Sequence, residues 1–250
     1  MQRAYSEPLR FSFAHVYRAW QSCQRGKRGT KAAQRYEVRL LDHLMATVQA
    51  LQNDSWRPSR ATRFVTLRPK PREILAADFA DRVVHHIIVP WFERLYEPIF
   101  IHDSCANRRG RGAHFAVDRL QHFQRSVTAN GAKPAYFLQL DIANFFHSID
   151  RRTLFNILRR RVERDAKRFG ADARHVDADD GLAMLRLVRR LLTGNPGRNA
   201  SFRGDPNLLA KVPSHKQLLN AEPGKGLPIG NLTSQDRKST RLNSSHRLTS

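Results

Sequence analysis

The first candidate for chemistry is an aspartate that ends an apolar run. Asp141 follows AYFLQL (135–140), whose near-continuous apolar character predicts a strand covered on both faces. A carboxylate at the end of a buried strand is costly unless something compensates its charge. Magnesium is one such compensator, since it prefers oxygen ligands, and the carbonyl of Ile142 offers another oxygen. Asp141 and Ile142 are therefore candidate metal ligands, although a lone aspartate more often caps a turn.

The second candidate is a basic turn between two predicted strands. RFVTL (63–67) and EILAA (73–77) have the composition of strands, and RPKPR (68–72) between them carries two prolines. The segment therefore predicts a hairpin with a basic tip. Lys70 supplies a point charge and Arg72 a bidentate fork, which suit phosphate oxygens, though either residue alone is as easily an ordinary surface charge.

The composition of the chain is strongly basic. It has 44 lysine and arginine residues against 22 aspartate and glutamate residues, a formal net charge of +22 over 250 residues. Such an excess repels itself unless a polyanion is near, so nucleic acid is the expected partner. An anionic membrane surface is the alternative, but the sequence shows no clean basic amphipathic anchor. No apolar stretch is long enough to span a bilayer. Two cysteines are too few for a disulfide framework and predict reduced thiols in the cytoplasm.

The hydrophobic pattern predicts the elements that hold these residues. Asp78 is the expected N-cap of a helix in which Pro90 causes a bend or an interruption, and Asp150 is the expected N-cap of a helix that follows it. The stretch from Thr193 is rich in glycine, proline, asparagine and serine and predicts a long exposed loop. Helices are predicted over residues 31–52, 78–96, 114–127 and 181–192.

The segment around Asp141 resembles motif A of reverse transcriptases. In that motif, here LQLDIANFFHSID (138–150), an aromatic residue follows the metal-binding aspartate by five positions, and Phe146 matches it. The resemblance implies that Asp141 and Ile142 bind Mg²⁺. It also implies that Phe146 excludes a ribose 2′-hydroxyl and so selects deoxynucleotides, while one of Phe145 and Phe146 is expected to be ordinary core.

The resemblance extends to segments on both sides of motif A. RPKPREI resembles the fingers hairpin of the family, which implies that Lys70 and Arg72 grip the incoming triphosphate. The resemblance also covers the turn around Gly110 and Gly112, and it implies that Arg108, Arg109 and Arg111 contact template phosphates.

The segment GLPIGNLTSQ (226–235) resembles motif B, which supports template and nucleotide. Gly230 and Asn231 are the residues that the resemblance assigns to the template. Ile229 stands where glutamine is usual, and the segment ends in Ser-Gln rather than Ser-Pro. These departures match the branch found in diversity-generating retroelements, whose enzymes copy a template RNA.

The resemblance implies a fold and a reaction. The fold is α+β, the fingers and partial palm of a right-hand polymerase, with a helical N-terminal segment over 1–56, fingers over 57–130 and a partial palm over 131–235. The intact protein would copy RNA into cDNA by two-metal nucleotidyl transfer, using two Mg²⁺ ions, an RNA template, a DNA primer and dNTPs. Whether an accessory protein also binds stays open, and no membrane is expected.

The expected continuation of the motif series is absent from the sequence. The next motif of the family, YxDD, does not occur after Gln235, so the chain is expected to be an inactive fragment. DRKSTRLNSSH (236–246) resembles the translation of a sequencing-library adapter, which predicts a non-native tail over 236–250. The alternatives are a reverse transcriptase of another bacterial lineage, a retron or group II intron, and a non-catalytic nucleic-acid-binding protein.

Overall fold

The chain folds as an α+β structure in which helices dominate. The computed structural model describes residues 11–108, 110–169, 178–194, 197 and 200–234, so the predicted tail and Arg109 lie outside the described residues. The helices are α1 (Phe13–Gln24), α2 (Lys31–Val38), α3 (Leu40–Gln52), α4 (Phe79–Tyr96), α5 (Ala113–Val127), α6 (Phe145–Ser148), α7 (Arg151–Phe169) and α8 (Ala178–Thr193). The strands are β1 (Ala61–Thr66), β2 (Arg72–Ala76) and β3 (Ala200–Phe202). Short 3-10 helices cover Glu97–Ile99, Pro206–Lys211, Ser214–Lys216, Leu218–Asn220 and Leu232–Ser234.

The hydrophobic core lies among the helices rather than against the sheet. Its centre is α4, whose apolar residues pack with those of α1, α3, α7 and α8. Burial at spacings of three and four is what a helix needs to present one apolar face. The core residues include Val16, Trp20, Leu44, Val84, Ile87, Ile88, Val162, Met184 and Leu187. No helix in the described ranges has both the length and the apolar character that crossing a bilayer requires.

The predicted helix starts are confirmed at two aspartates. The Asp78 side chain accepts a hydrogen bond from Ala80 N at 3.0 Å at the start of α4. Asp150 accepts one from Thr153 N at 2.6 Å at the start of α7. Pro90 lies inside α4 without interrupting it, because the helix is held by buried residues before and after it.

The single helix predicted over 31–52 is two helices. Arg39 separates α2 from α3 with φ −124° and ψ 47°, outside the helical region. Within α3 the predicted apolar stripe is only partly buried, since Leu44 is fully buried while Leu41 is 66% exposed. Periodicity identified the helical residues but not the change of direction between them.

The sheet has the order β2-β1-β3. The predicted hairpin is confirmed, since β1 and β2 pair antiparallel with the register Thr66↔Arg72. The long exposed loop predicted from Thr193 is wrong, because it supplies β3, which pairs parallel with β1 through Ala61↔Ala200. A strand of three residues is too short to carry a period.

The buried strand predicted over 135–141 is also wrong. Residues 134–142 form neither helix nor strand, and their apolar side chains are exposed, with Leu138 at 78% and Leu140 at 82%. A strand needs a neighbour for its backbone hydrogen bonds. In the part of the chain that the structure describes, the sheet consists of β1, β2 and β3, which pair with one another.

Candidate nucleic-acid site

The motif B segment joins two parts of the chain that are distant in sequence. We call residues 224–231 the connecting loop. At one end it contacts the hairpin, where Leu75 N donates to Ile229 O at 2.9 Å and Ala77 N donates to Asn231 Oδ1 at 2.8 Å. Asn231 is 7% exposed and its amide oxygen accepts this hydrogen bond, so Asn231 has a structural role here, and its contact with a template stays a prediction.

The other end of the connecting loop contacts the motif A segment. Leu227 N donates to Phe146 O at 2.8 Å, and Gly226 N donates to Ile149 O at 2.9 Å. Arg151 N donates to Gly224 O at 3.0 Å, next to a β-bridge between Asp150 and Lys225. The hairpin, motif A and motif B are therefore brought together, as a common site requires.

Two glycines allow the connecting loop to approach its neighbours. Gly230 has φ +115°, and a Cβ there would lie 2.6 Å from Ile74 Cγ2. Gly226 has φ +90°, and a Cβ there would lie 2.7 Å from Leu218 Cδ1. Both positions combine a backbone conformation that other residues rarely adopt with a contact that a side chain would block. Gly230 thus has a packing role against β2.

The end of β2 nearest the hairpin turn is held by a buried carboxylate that sequence reasoning missed. Glu73 is 3% exposed, forms an ion pair with Arg63, and accepts a hydrogen bond from Leu218 N at 2.5 Å. Satisfied partners on both carboxylate oxygens make such burial tolerable. The signal was present in REILA, where alternation places Glu73 on the same face as buried Leu75.

The hairpin carries its basic residues at the tip and on the adjoining strand. Lys70 is exposed in the turn, and Arg72 is half-buried where β2 begins. Arg203, just after β3, stacks its guanidinium 4.6 Å from the centre of the Phe64 ring, and its backbone N donates to Arg63 O at 2.8 Å. Sequence reasoning did not identify Arg203, because it joins this surface only through the parallel pairing of β3.

The side chain of Asp141 lies in the exposed 134–142 segment and not at the end of a strand. Its carboxylate accepts a hydrogen bond from Ile142 N at 3.0 Å, and Ile142 is 64% exposed. Among the described residues, no group of three or more histidine, cysteine, aspartate and glutamate side chains is close enough to hold a metal ion. Asp141 and the Ile142 carbonyl suit Mg²⁺ by chemical type but do not complete a site.

The two phenylalanines of motif A differ in exposure. Phe146 is half-buried and Phe145 is 46% exposed, and their rings meet edge to face with centroids 5.2 Å apart. Asn144 precedes them in the left-handed conformation with φ 51° and ψ 31°, which turns the chain into α6. Phe146, whose carbonyl is bound by the connecting loop, is the more firmly positioned of the two.

A histidine adjoins the buried ion pair. Burial lowers the pKa of His147, and the nearby Glu73 carboxylate acts in the opposite direction. His215 adds to the lowering. The His147 imidazole is therefore neutral at pH 7, so it adds a polar group to the site without adding charge.

The arginines assigned to template phosphates are engaged within the protein. Arg108 is 6% exposed, binds the Glu97 carboxylate with Nη2 at 2.7 Å from Oε1, and donates to Ile101 O at 2.9 Å. The hydrogen bond from Arg108 lowers the pKa of Glu97. Arg111 donates to His102 O and lies over the Phe115 ring, 4.9 Å from its centre. These contacts give Arg108 a structural role in fixing the glycine turn.

Comparison with known proteins adds no identification. No family model matches the chain, and no curated protein matches it. Its function has to be argued from its own residues and contacts.

Proposed function

We propose that this chain is part of a reverse transcriptase, an RNA-directed DNA polymerase of the diversity-generating-retroelement type. The observation that carries the proposal is the connecting loop. Its hydrogen bonds to Leu75, Ala77, Phe146 and Ile149 hold together three segments that the sequence independently matched to motifs of one family. The contact among three segments that each resemble a motif of the same family supports the proposal.

The proposed roles follow from the chemistry of each side chain. Lys70 and Arg72 bind the triphosphate of the incoming dNTP, since ammonium and guanidinium groups are the usual partners of phosphate oxygens. Phe146 lies against the sugar and excludes the 2′-hydroxyl of a ribonucleotide. Asp141 contributes one carboxylate toward Mg²⁺, which in such sites supplies charge stabilisation when bound. The hairpin belongs to the fingers and the motif A segment to the palm.

One observation favours a different function, non-catalytic binding of nucleic acid. Asp141 lies on an exposed segment without a paired strand, and it belongs to no group of three or more potential metal ligands among the described residues. The net charge of +22 supports nucleic-acid binding in either case. Synthesis of DNA that depends on Asp141 separates the two functions.

Primer extension on an RNA template tests the proposal. The 250-residue chain should give no extension, because two-metal catalysis needs further carboxylates such as those of a YxDD motif, and its sequence contains no YxDD. A longer product, in which residues 1–235 are joined to a palm and thumb segment that carries YxDD, should extend the primer with dNTPs and Mg²⁺. Robust synthesis by the 250-residue chain would show that the active site is misplaced.

Substitutions in the longer product test the individual roles. Asp141→Ala should abolish synthesis, and Asp118→Ala, which removes an exposed carboxylate on α5, is the matched control that should retain it. Phe146→Ala should mainly increase incorporation of ribonucleotides. Normal synthesis by the Asp141→Ala variant would mean that motif A is wrongly assigned.

A further inference from the structure

The outward face of α7 is a strongly basic surface away from the motif segments. The helix carries eight lysine and arginine residues and two acidic residues. Both acids are paired within the helix, Glu163 with Arg159 at 3.7 Å and Asp165 with Arg161 at 3.8 Å. Asp165 is buried, whereas the exposed Glu163 lies three residues from Arg160 and four from Lys167, so it offsets only part of the charge on the exposed side of the helix.

Three exposed basic residues define that side, which we call the outer face of α7. Arg160, Arg164 and Lys167 are four and three residues apart, so they lie in one row along the helix. Val162, 4% exposed, and Asp165, 6% exposed, turn toward the core on the opposite side. Like charges at this spacing destabilise a helix, so the row costs stability unless a polyanion compensates it.

We propose that the outer face of α7 binds the phosphate backbone of an RNA strand, a second contact beyond the hairpin and the motif segments. The proposal rests on the proposed function, which makes RNA the substrate. Basic residues over two turns of a rigid helix follow a strand by its charge without reading its sequence. An anionic membrane fits less well, because Phe155, Leu158 and Val162 already pack into the core and the exposed Ile157 by itself offers little apolar surface.

A matched pair of triple variants tests this surface. The first is Arg160→Ala, Arg164→Ala and Lys167→Ala; the second, Arg25→Ala, Lys31→Ala and Arg35→Ala, removes the same charge from exposed positions around α1 and α2. Affinity for an unstructured 20-nucleotide RNA is measured against salt concentration. Each lost phosphate contact reduces the magnitude of the slope of log K against log salt by about 0.7. The magnitude should therefore fall by about 2 for the first variant and by much less for the second. Equal slopes for the two variants would overturn the proposal.

Further variants keep the test decisive. Arg160→Lys and Arg164→Lys retain the charge, and this double variant should keep the wild-type slope, which a merely structural role of the guanidinium groups would not predict. If the triple variant fails to fold by circular dichroism, Arg164→Ala alone should reduce the slope by about 0.7.

Two readouts separate this inference from the proposed function. Vesicles of phosphatidylserine and phosphatidylcholine form the second arm, and binding to vesicles but not to RNA would overturn the inference. RNA binding that depends on the outer face, together with no DNA synthesis by the longer product, would defeat the proposed function and leave the inference standing. DNA synthesis by the longer product, together with a salt dependence of RNA binding that the outer-face substitutions leave unchanged, would support the proposed function and overturn the inference.

Discussion

Gly230 is the residue at which a side chain would be least tolerated. Its φ of +115° and the 2.6 Å approach of a Cβ to Ile74 Cγ2 both oppose substitution. We expect Gly230→Ala to lower the free energy of unfolding by about 1–3 kcal/mol, as overpacking typically does, in a urea titration. Gly29→Ala is the control, since Gly29 has open space and no left-handed φ. Equal losses at the two positions would contradict the close approach.

Two buried titratable residues on α4 act in opposite directions as the pH changes. Burial lowers the pKa of His85 to about 4, with the charges of His86 and Arg82 adding to it, and neither ring nitrogen has a hydrogen-bond partner among the described residues. Burial raises the pKa of Asp81 to about 6, although Ser59 N donates to its carboxylate at 2.7 Å. Between pH 4 and 6, His85 is protonated in the unfolded chain and neutral in the folded chain. Asp81 is ionised in the unfolded chain and protonated in the folded chain.

The contributions of His85 and Asp81 should nearly cancel. As the pH falls from 6 to 4, the lowered pKa of His85 removes stability while the raised pKa of Asp81 restores it, each by roughly 3 kcal/mol at 1.36 kcal/mol per pKa unit. We expect Asp81→Asn to unmask a steep loss of stability on acidification. His85→Phe should give the opposite slope. Urea titrations at pH 4, 5, 6 and 7 measure the free energy of unfolding of both variants. If it changed with pH in the same way in both, His85 and Asp81 would not have opposite effects.

At the scale of elements, the connecting loop depends on its contact with the hairpin. Asn231→Ala removes the acceptor that lies 2.8 Å from Ala77 N and leaves that part-buried N–H without this partner. The expected cost is about 1–3 kcal/mol in the free energy of unfolding. Asn220→Ala, at an exposed amide that donates to Ser214 O, should cost far less. Similar losses in the free energy of unfolding for the two variants would mean that Asn231 does not stabilise the contact between the connecting loop and the hairpin.

The sequence predicted the elements whose signals are local. The hairpin follows from two strand-like runs around a proline-rich turn, and α4 and α7 follow from Asp78 and Asp150 as N-caps ahead of helical patterns. These features need only neighbouring residues, so a single sequence is sufficient to find them.

The features that the sequence missed depend on distant partners. An apolar run such as 135–140 has strand composition, but only a neighbouring strand makes it one, and the described structure provides none there. β3 is the converse case, since Ala200–Phe202 is a strand because β1 lies beside it. The site divides in the same way: the motif resemblances rest on local pattern, whereas the inward roles of Glu73 and Arg108 follow from burial.

At the scale of the whole molecule, the 134–142 segment exposes apolar surface that favours self-association. Leu138 and Leu140 are 78% and 82% exposed, and α5 has no buried residue. Contiguous exposed apolar surface promotes association. We expect Leu138→Lys with Leu140→Lys to shift sedimentation toward the monomer without loss of helix. Leu44→Lys, at a fully buried position, should instead unfold the chain. Unchanged sedimentation of the double variant would show that this segment is not responsible.

The parallel pairing of β1 with β3 sets an order for folding. Its partners Ala61 and Ala200 are separated by most of the chain, whereas Thr66 and Arg72 meet across a short turn. Because closure entropy grows with the logarithm of loop length, the long closure costs roughly 3 kcal/mol more than the short one. The amides that join β1 to β2 should therefore acquire protection early in pulse-labelled hydrogen exchange, and the amides that join β1 to β3 last. During synthesis, the edge of the sheet beside β1 can therefore be covered only after Phe202, the last residue of β3, has left the ribosome.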